Sequence, residues 1–93
     1  MDRSPNLSHI QSFYSVAREG SIAAATSAGA GARSTLSRHI GLLESEMNVT
    51  LFKRVGEGLA LTQIGEDLFR LAGEINLAAS GWATAAISQQ DVI

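Results

Sequence analysis

Ninety-three residues, 45% of them apolar and 17% charged, suffice for one small folded domain and exclude two independent cores. This composition excludes a disordered chain, and the lack of cysteine excludes disulfides, thiolate catalysis and cysteine-bound metal. No apolar run approaches the roughly 18 residues of a membrane span. No apolar signal segment follows the first charges either, so we expect a cytoplasmic protein without a membrane partner.

The net charge of −2 is unevenly distributed along the chain. Residues 1–58 carry six basic and five acidic side chains, whereas residues 59–93 carry one basic and four acidic ones. Four of the seven cations fall between positions 33 and 54. Electrostatic fields decay over about 8 Å at physiological salt, so a local basic patch can bind phosphate on an acidic protein.

The first two apolar segments predict a helix pair. Apolar residues at helical spacing lie between an expected N-cap at Asn6 and a glycine stop at Gly20. Ser21 is placed to cap a short second helix of small side chains, which Gly-Ala-Gly at residues 29–31 ends. Short helices joined by such a turn are typical of a helix-turn-helix.

A third helix is predicted from about Ala32 to Met47. At about 100° per residue, one narrow stripe must face the core: Leu36, Ile40, Leu43 and Met47. The opposite side carries short or basic side chains: Arg33 at its flank, Ser34, Ser37, Arg38, Gly41 and Ser45. An ordinary solvated face would carry long Glu and Lys side chains, whereas these short ones permit close approach to a surface.

The remaining segments predict a β-hairpin and a long helix. Residues 51–55 and 59–61 flank a Gly-Glu-Gly turn, as in the wing of a winged helix. Thr62 is placed to cap a fourth helix over residues 63–90, separate from a domain at 1–62. Its apolar residues alternate in steps of four and three, which predicts a dimer seam that includes Ile64, Leu68, Leu71, Ile75 and Trp82. Three glycines each cost this helix about 1 kcal/mol, so we expect it to need a partner.

Several motifs, in this order and spacing, resemble the DNA-binding domain of LysR-type transcription regulators. They are residues 20–25 (GSIAAA), 36–40 (LSRHI) with Leu43-Glu44, 51–54 (LFKR) and 61–65 (LTQIG). The resemblance covers roughly residues 7–80. It implies a mainly α, winged helix-turn-helix fold, with the third helix in the major groove of double-stranded DNA and a long C-terminal linker helix for dimerisation.

The resemblance also implies partners. They are a near-palindromic operator and a second copy of the chain, or a higher oligomer in a full-length parent. Family members carry a C-terminal effector-binding domain that binds a small-molecule inducer, and we expect that domain to be absent from this chain.

Two positions depart from the family pattern. Ala32-Arg33 stands where relatives usually have Ser-Gln, which removes a side-chain cap and substitutes a residue suited to guanine for one suited to adenine. Glu57 occupies a wing-tip position that is often basic, where it would repel phosphate.

The predicted DNA-binding residues are Arg33, Ser34, Ser37, Arg38, Lys53 and Arg54. Arg38 is the first candidate because it projects from the exposed face and can bridge two acceptors, while a solvated surface arginine is the plain alternative. Serines are common on helix surfaces, and Arg54 could instead pair locally with Glu57.

Other functions fit the sequence less well than DNA binding. The main alternative is a winged-helix protein-interaction or dimerisation module that has lost DNA binding, which the net charge, Glu57 and Ala32-Arg33 favour modestly. An enzyme would need a nucleophile–base pair, metal ligands or a cofactor loop, and the sequence shows none of these patterns. His9 and His39 lie on different predicted helices without metal-ligand spacing, so we expect no metal and no cofactor.

Overall fold

The computed structural model describes residues 6–75. It contains helices α1 (Leu7–Glu19), α2 (Ile22–Ser27) and α3 (Arg33–Met47), then strands β1 (Phe52–Val55) and β2 (Gly58–Leu61). A further helix, α4, covers residues 63–75. The predicted continuation of α4 to residue 90, including Trp82, lies outside the described residues.

The helix boundaries follow the local capping signals that the sequence predicts. The side chain of Asn6 accepts a hydrogen bond from Ser8 N–H at 2.7 Å and begins α1. Gly20 ends α1 with φ = 90°, a left-handed conformation that glycine adopts without a steric penalty. Ser21 Oγ accepts from Ala24 N–H at 3.0 Å and begins α2. Ala32 precedes α3 without a side-chain cap, as expected from its methyl side chain.

The wing is a two-stranded antiparallel hairpin in which Phe52 pairs with Leu61 and Val55 with Gly58. This register leaves a loop of two residues, and Gly56 at its first position has φ = 59°. Positive φ at that position is what a tight type II′ hairpin turn requires. Gly58, predicted within the turn, is the first residue of β2.

Helix α4 docks against the domain at a close approach. A Cβ on Gly65 would collide with the carbonyl oxygen of Leu51, so only glycine permits this packing. One turn further along, Phe69 stacks on Tyr14 of α1, with ring centroids 5.1 Å apart. Gly65 is therefore required here, whereas the sequence suggested only a weakness in the helix.

All four helices and the segment before β1 contribute to one core. Its buried apolar residues are Phe13, Val16, Ala25, Leu36, Ile40, Leu43, Leu51 and Ala72. Met47, the last predicted core residue of α3, packs against this cluster and is half-buried. Because Ala72 is in the core, the first turns of α4 pack with the preceding elements, and the predicted boundary at residue 62 stays a prediction.

The architecture is a winged helix-turn-helix. Helices α2 and α3 meet through a turn in which Gly29 and Gly31 both have positive φ, and the hairpin follows α3 as the wing. The predicted fold class, mainly α with a small β-hairpin, is confirmed. None of the helices described is long and apolar enough to cross a membrane.

Candidate nucleic-acid interface

The outer face of α3 is open to solvent. Leu36, Ile40 and Leu43 hold the opposite side of the helix in the core, and this packing fixes the rotation of α3 about its axis. The residues predicted for the outer face are all exposed: Arg33, Ser34, Ser37, Arg38, Gly41 and Ser45. Short side chains dominate this face, so a flat or convex partner can come close to the backbone of α3.

The structure brings three of the predicted DNA-binding residues together. Arg33 and Ser37, on the flank of α3 that faces the wing, line one groove with Arg54 of β1. This wing groove, of about 420 Å³, is completed by α2 and β2 residues and by Glu57. Two guanidinium groups and a hydroxyl from distant parts of the sequence therefore share one concave surface.

The other three predicted residues lie outside the wing groove. Ser34 and Arg38 belong to the outermost ridge of α3, beside the groove rather than in it. Lys53 follows Phe52 in β1, and successive strand residues point to opposite faces, so its exposed side chain lies on the hairpin face opposite that of Arg54. The wing therefore presents one cation toward α3 and one away from it.

Backbone and side-chain hydrogen bonds set the position of the wing. Leu59 N–H donates to the carbonyl oxygen of Gly20 at 3.2 Å, which anchors β2 at the junction of α1 and α2. At the base of the wing, Thr62 Oγ1 donates to the Thr50 carbonyl oxygen at 2.6 Å and accepts from Gly65 N–H at 3.1 Å. The predicted cap of α4 by Thr62 is confirmed, and the same hydroxyl ties α4 to the chain that enters β1.

The four cations of the candidate interface are not neutralised within the described part of the chain. The ion pairs formed there join Arg18 to Glu19 at 3.0 Å and Arg70 to Asp67 at 3.5 Å, and neither includes a residue of α3 or the wing. The predicted alternative for Arg54, a pair with Glu57, is not formed, although both line the wing groove. Arg33, Arg38, Lys53 and Arg54 are thus available to an anion.

Two polar contacts were not predicted from the sequence. Glu44, named above only as part of the Leu43-Glu44 motif, accepts a hydrogen bond from Leu51 N–H at 2.7 Å. Ser12 Oγ lies 2.7 Å from His39 Nδ1, and the His9 and His39 rings are 4.7 Å apart between centroids. No local pattern signals either contact, because each joins residues whose proximity depends on the packing of separate elements.

The predicted dimer seam is exposed at three of its described positions. Ile64, Leu71 and Ile75 are 39%, 49% and 42% accessible, and they form one stripe along α4. Leu68 is half-buried and packs against the core of its own chain. The stripe therefore runs along the edge of the buried face of α4.

The family relationship follows from the sequence across this whole unit. A sequence model of the family described as "Bacterial regulatory helix-turn-helix protein, lysR family" matches residues 7–66, from the start of α1 into α4. The chain belongs to the LysR family. Its expected resemblance to LysR-type regulators is confirmed.

Curated relatives are transcriptional regulators by name. The chain is 38% identical over 71 residues to the HTH-type transcriptional regulator GalR of Pseudomonas putida, which covers 76% of this chain and 18% of GalR. It is 34% identical over 70 residues to the transcriptional activator protein NhaR of Escherichia coli, which covers 75% of this chain and 23% of NhaR. The chain thus spans about a fifth of the length of these relatives.

Solved structures share the fold. One is a BenM DBD/benA site 1 DNA complex, with a TM-score of 0.81 at 23% identity over 95% of this chain and 99% of that one. Another is a CbnR DBD–DNA complex, with a TM-score of 0.77 at 24% identity over 91% of this chain and 98% of that one. At these identities the likeness establishes the winged helix-turn-helix architecture.

Proposed function

We propose that this LysR-family chain is the sequence-specific DNA-binding module of a bacterial transcription regulator, with α3 in the major groove. One observation carries the proposal: Arg33, Ser37 and Arg54 line one groove beside the exposed ridge of Ser34 and Arg38, and no ion pair within residues 6–75 neutralises these arginines. The names of the relatives and the two DNA complexes with the same fold support it.

The mechanism follows from the chemistry of these groups. Arginine side chains that contact phosphates release condensed counterions, and this sequence-independent term brings the module to any duplex. The first residues of a recognition helix reach base edges, so Arg33, Ser34 and Ser37 are placed to read sequence. Arg54 and Lys53 hold the wing on the backbone or minor groove, and Arg38 bridges two acceptors on the outermost ridge of α3.

The base preference is expected to include guanine. An arginine side chain can donate two hydrogen bonds to guanine O6 and N7, a pattern that other base pairs do not offer in the major groove. Arg33 is exposed at the first turn of α3, on the flank that faces the wing. We therefore assign Arg33 to a guanine in each half-site.

Two copies are required for tight binding, because one module makes few base contacts. A homodimer through the exposed stripe of Ile64, Leu71 and Ile75, extended to Trp82 and with Leu68 at its margin, would hold two recognition helices at a set distance. Two-fold symmetry of the protein then implies a near-palindromic operator. In a full-length parent, higher assembly and inducer binding would belong to a C-terminal effector-binding domain.

As part of this proposal, the protein acts in the cytoplasm, where the DNA is, and it has no enzymatic activity, cofactor or metal. The Ser12–His39 contact is a nucleophile–base pair by distance alone. The groups that act on His39 are His9 and Arg38, neither of which is the carboxylate that would orient a catalytic imidazole.

The alternative of a protein-interaction module requires an apolar outer face on α3, whereas serines, a glycine and arginines occupy it.

The decisive experiment begins with selection of bound duplexes from a random library by the dimeric chain. Anisotropy titrations on the selected duplex then compare the wild type with Arg38→Ala, and with Arg70→Ala as a matched control. Arg70 is also an exposed arginine but pairs with Asp67 on α4, away from the interface. We expect Arg38→Ala to cost about 1–3 kcal/mol of binding free energy and to reduce the salt dependence, with Arg70→Ala close to wild type.

Flat salt dependence, or equal effects of the two alanine variants, would contradict the proposed interface. The dimer is tested separately by sedimentation of the wild type and of Leu71→Asp and Trp82→Asp. A wild-type chain that stays monomeric at high concentration would contradict the α4 seam and leave the α3 surface untouched.

A further inference from the structure

Two histidines and a serine meet where α1 packs against α3. His9 and His39 lie with their ring centroids 4.7 Å apart and their planes tilted by 39°. Ser12, only 8% exposed, places Oγ 2.7 Å from Nδ1 of His39. We call these three residues the histidine contact. Because His39 belongs to α3 directly after Arg38, this contact joins the back of the recognition helix to α1.

The surroundings of the histidine contact disfavour a positive charge. Burial lowers the pKa of His39, and the nearby His9 and Arg38 lower this pKa further. His9 lies on α1 and Arg38 on α3. No carboxylate of the described residues is among the groups that shift the pKa of His39. A proton on His39 would thus be placed beside two groups that are or can become cationic.

His9 adds an independent geometric observation. Its Nδ1 atom is buried and has no hydrogen-bond partner among the described residues. The His9 ring is thus held against His39 by packing and not by a hydrogen bond at this nitrogen.

We propose that the histidine contact is a proton-sensitive joint, which strengthens the packing of α3 against α1 while the His39 imidazole is neutral. Acidification protonates His39, and its positive charge is then disfavoured by His9 and Arg38, the neighbours that lower its pKa. The α1–α3 packing then loosens, and with it the orientation of the outer face of α3. The proposal concerns the fold itself and does not depend on what α3 binds.

The sign of the pH effect follows from linkage. An imidazole in the unfolded chain has a pKa of about 6.5, and the folded value for His39 lies below it. In the acidic range the unfolded chain consequently binds more protons than the folded chain. The stabilisation is complete above about pH 6.5 and is lost as the pH falls through the lowered pKa of the folded state.

A proton suits the site better than a metal ion. Ser12 already occupies Nδ1 of His39, and the positive charge of Arg38 repels cations. The described residues contain no group of three or more potential metal ligands from histidine, cysteine or acidic side chains. Binding of a metal ion by the two imidazoles would therefore overturn the proposal.

The test follows the imidazole carbon–hydrogen resonances of the 93-residue chain by NMR as a function of pH. In the wild type, we expect His39 to titrate below the value of an unfolded reference peptide and the two rings to influence each other. His9→Phe keeps an aromatic ring in contact but removes the ionisable neighbour, and should move the His39 pKa upward. Ser12→Ala removes the hydrogen bond and should leave the coupling between the two rings. Titration of His39 at the ordinary value, unchanged by His9→Phe, would overturn the proposal.

A second measurement relates the titration to stability. Urea midpoints are compared at about pH 7.5 and about pH 5.5, on either side of the imidazole pKa, for the wild type and the double variant His9→Gln/His39→Gln. The double variant reports the background acid sensitivity of the carboxylates. We expect the wild-type midpoint to fall more than that of the double variant. An equal fall in both proteins, or a zinc-induced rise in the wild-type midpoint that the double variant lacks, would refute the joint.

Discussion

The carboxylate of Glu44 accepts a hydrogen bond from the backbone N–H of Leu51 at 2.7 Å. Glu44 lies in the last turn of α3, and Leu51 is a fully buried residue directly before the wing. This bond satisfies a buried donor and ties the end of the recognition helix to the start of the hairpin. Together with the Leu59–Gly20 hydrogen bond, it sets the position of the wing relative to α3.

Replacing Glu44 by alanine should lower the free energy of unfolding by about 1–3 kcal/mol, because the buried Leu51 N–H loses its acceptor. Urea denaturation of Glu44→Ala measures the loss. Glu46→Ala, at an exposed position two residues away, is the control and should remain near wild type. Glu44→Gln keeps a neutral acceptor and should fall between the two. A Glu44→Ala protein as stable as Glu46→Ala would show that the bond is dispensable.

Alanine at Gly65 should destabilise the domain despite its higher helix propensity. A Cβ there meets the Leu51 carbonyl oxygen and lies 3.1 Å from the Leu61 side chain, so α4 must move off the core. Gly41→Ala is the matched control. Gly41 lies within α3 with open space around an added Cβ, so alanine there should raise the free energy of unfolding by up to about 1 kcal/mol. Thermal unfolding of both variants should give shifts of opposite sign. A stabilised Gly65→Ala protein would contradict the close approach of α4.

A serine at position 32 should stabilise the start of α3. Ala32 has the extended backbone of an N-cap, with φ = −69° and ψ = 149°, but its side chain caps nothing. A hydroxyl there can accept from a free N–H of the first turn, which is worth about 1 kcal/mol. Ala32→Ser is compared with Ala30→Ser, a position in the preceding turn, by urea denaturation. Equal midpoints for the two variants would mean that the cap does not form.

Arg33→Gln should change base preference rather than remove DNA binding. Glutamine pairs with adenine in the geometry in which arginine pairs with guanine, so selection from a random library should exchange guanine for adenine at one position of each half-site. Arg70→Gln, on α4 and outside the wing groove, should keep the wild-type preference. If Arg33→Gln still binds and still prefers guanine, Arg33 contacts phosphate and not a base. If neither the wild type nor any variant selects a sequence, sequence-specific DNA binding itself is contradicted.

Glu57→Gln should increase affinity for any duplex. Glu57 lines the groove with Arg33 and Arg54 and makes no ion pair with them among the described residues. Its carboxylate therefore repels phosphate without a compensating contact, and removing the charge should tighten binding several-fold at low salt. Anisotropy at two ionic strengths measures the gain, which should shrink as salt rises. Weaker binding by Glu57→Gln would imply that the carboxylate orients an arginine.

The amino-acid sequence alone determined the features that depend on neighbouring residues. Asn6, Ser21 and Thr62 cap their helices because each side chain bonds to a backbone group within three residues. Likewise, the spacing of Leu36, Ile40 and Leu43 decides which side of α3 is buried and so which side is exposed. Order and spacing of such local signals were enough to predict the winged helix-turn-helix and the LysR resemblance.

Tertiary structure alone decided which distant residues meet. It placed Arg54 in a groove with Arg33 and turned Lys53 away, although the two wing cations are adjacent in sequence. It also joined His9 to His39 and required glycine at position 65, where one helix crosses a carbonyl of another segment. These relationships depend on how the elements dock against one core, and periodicity within a single element holds no information about its neighbours.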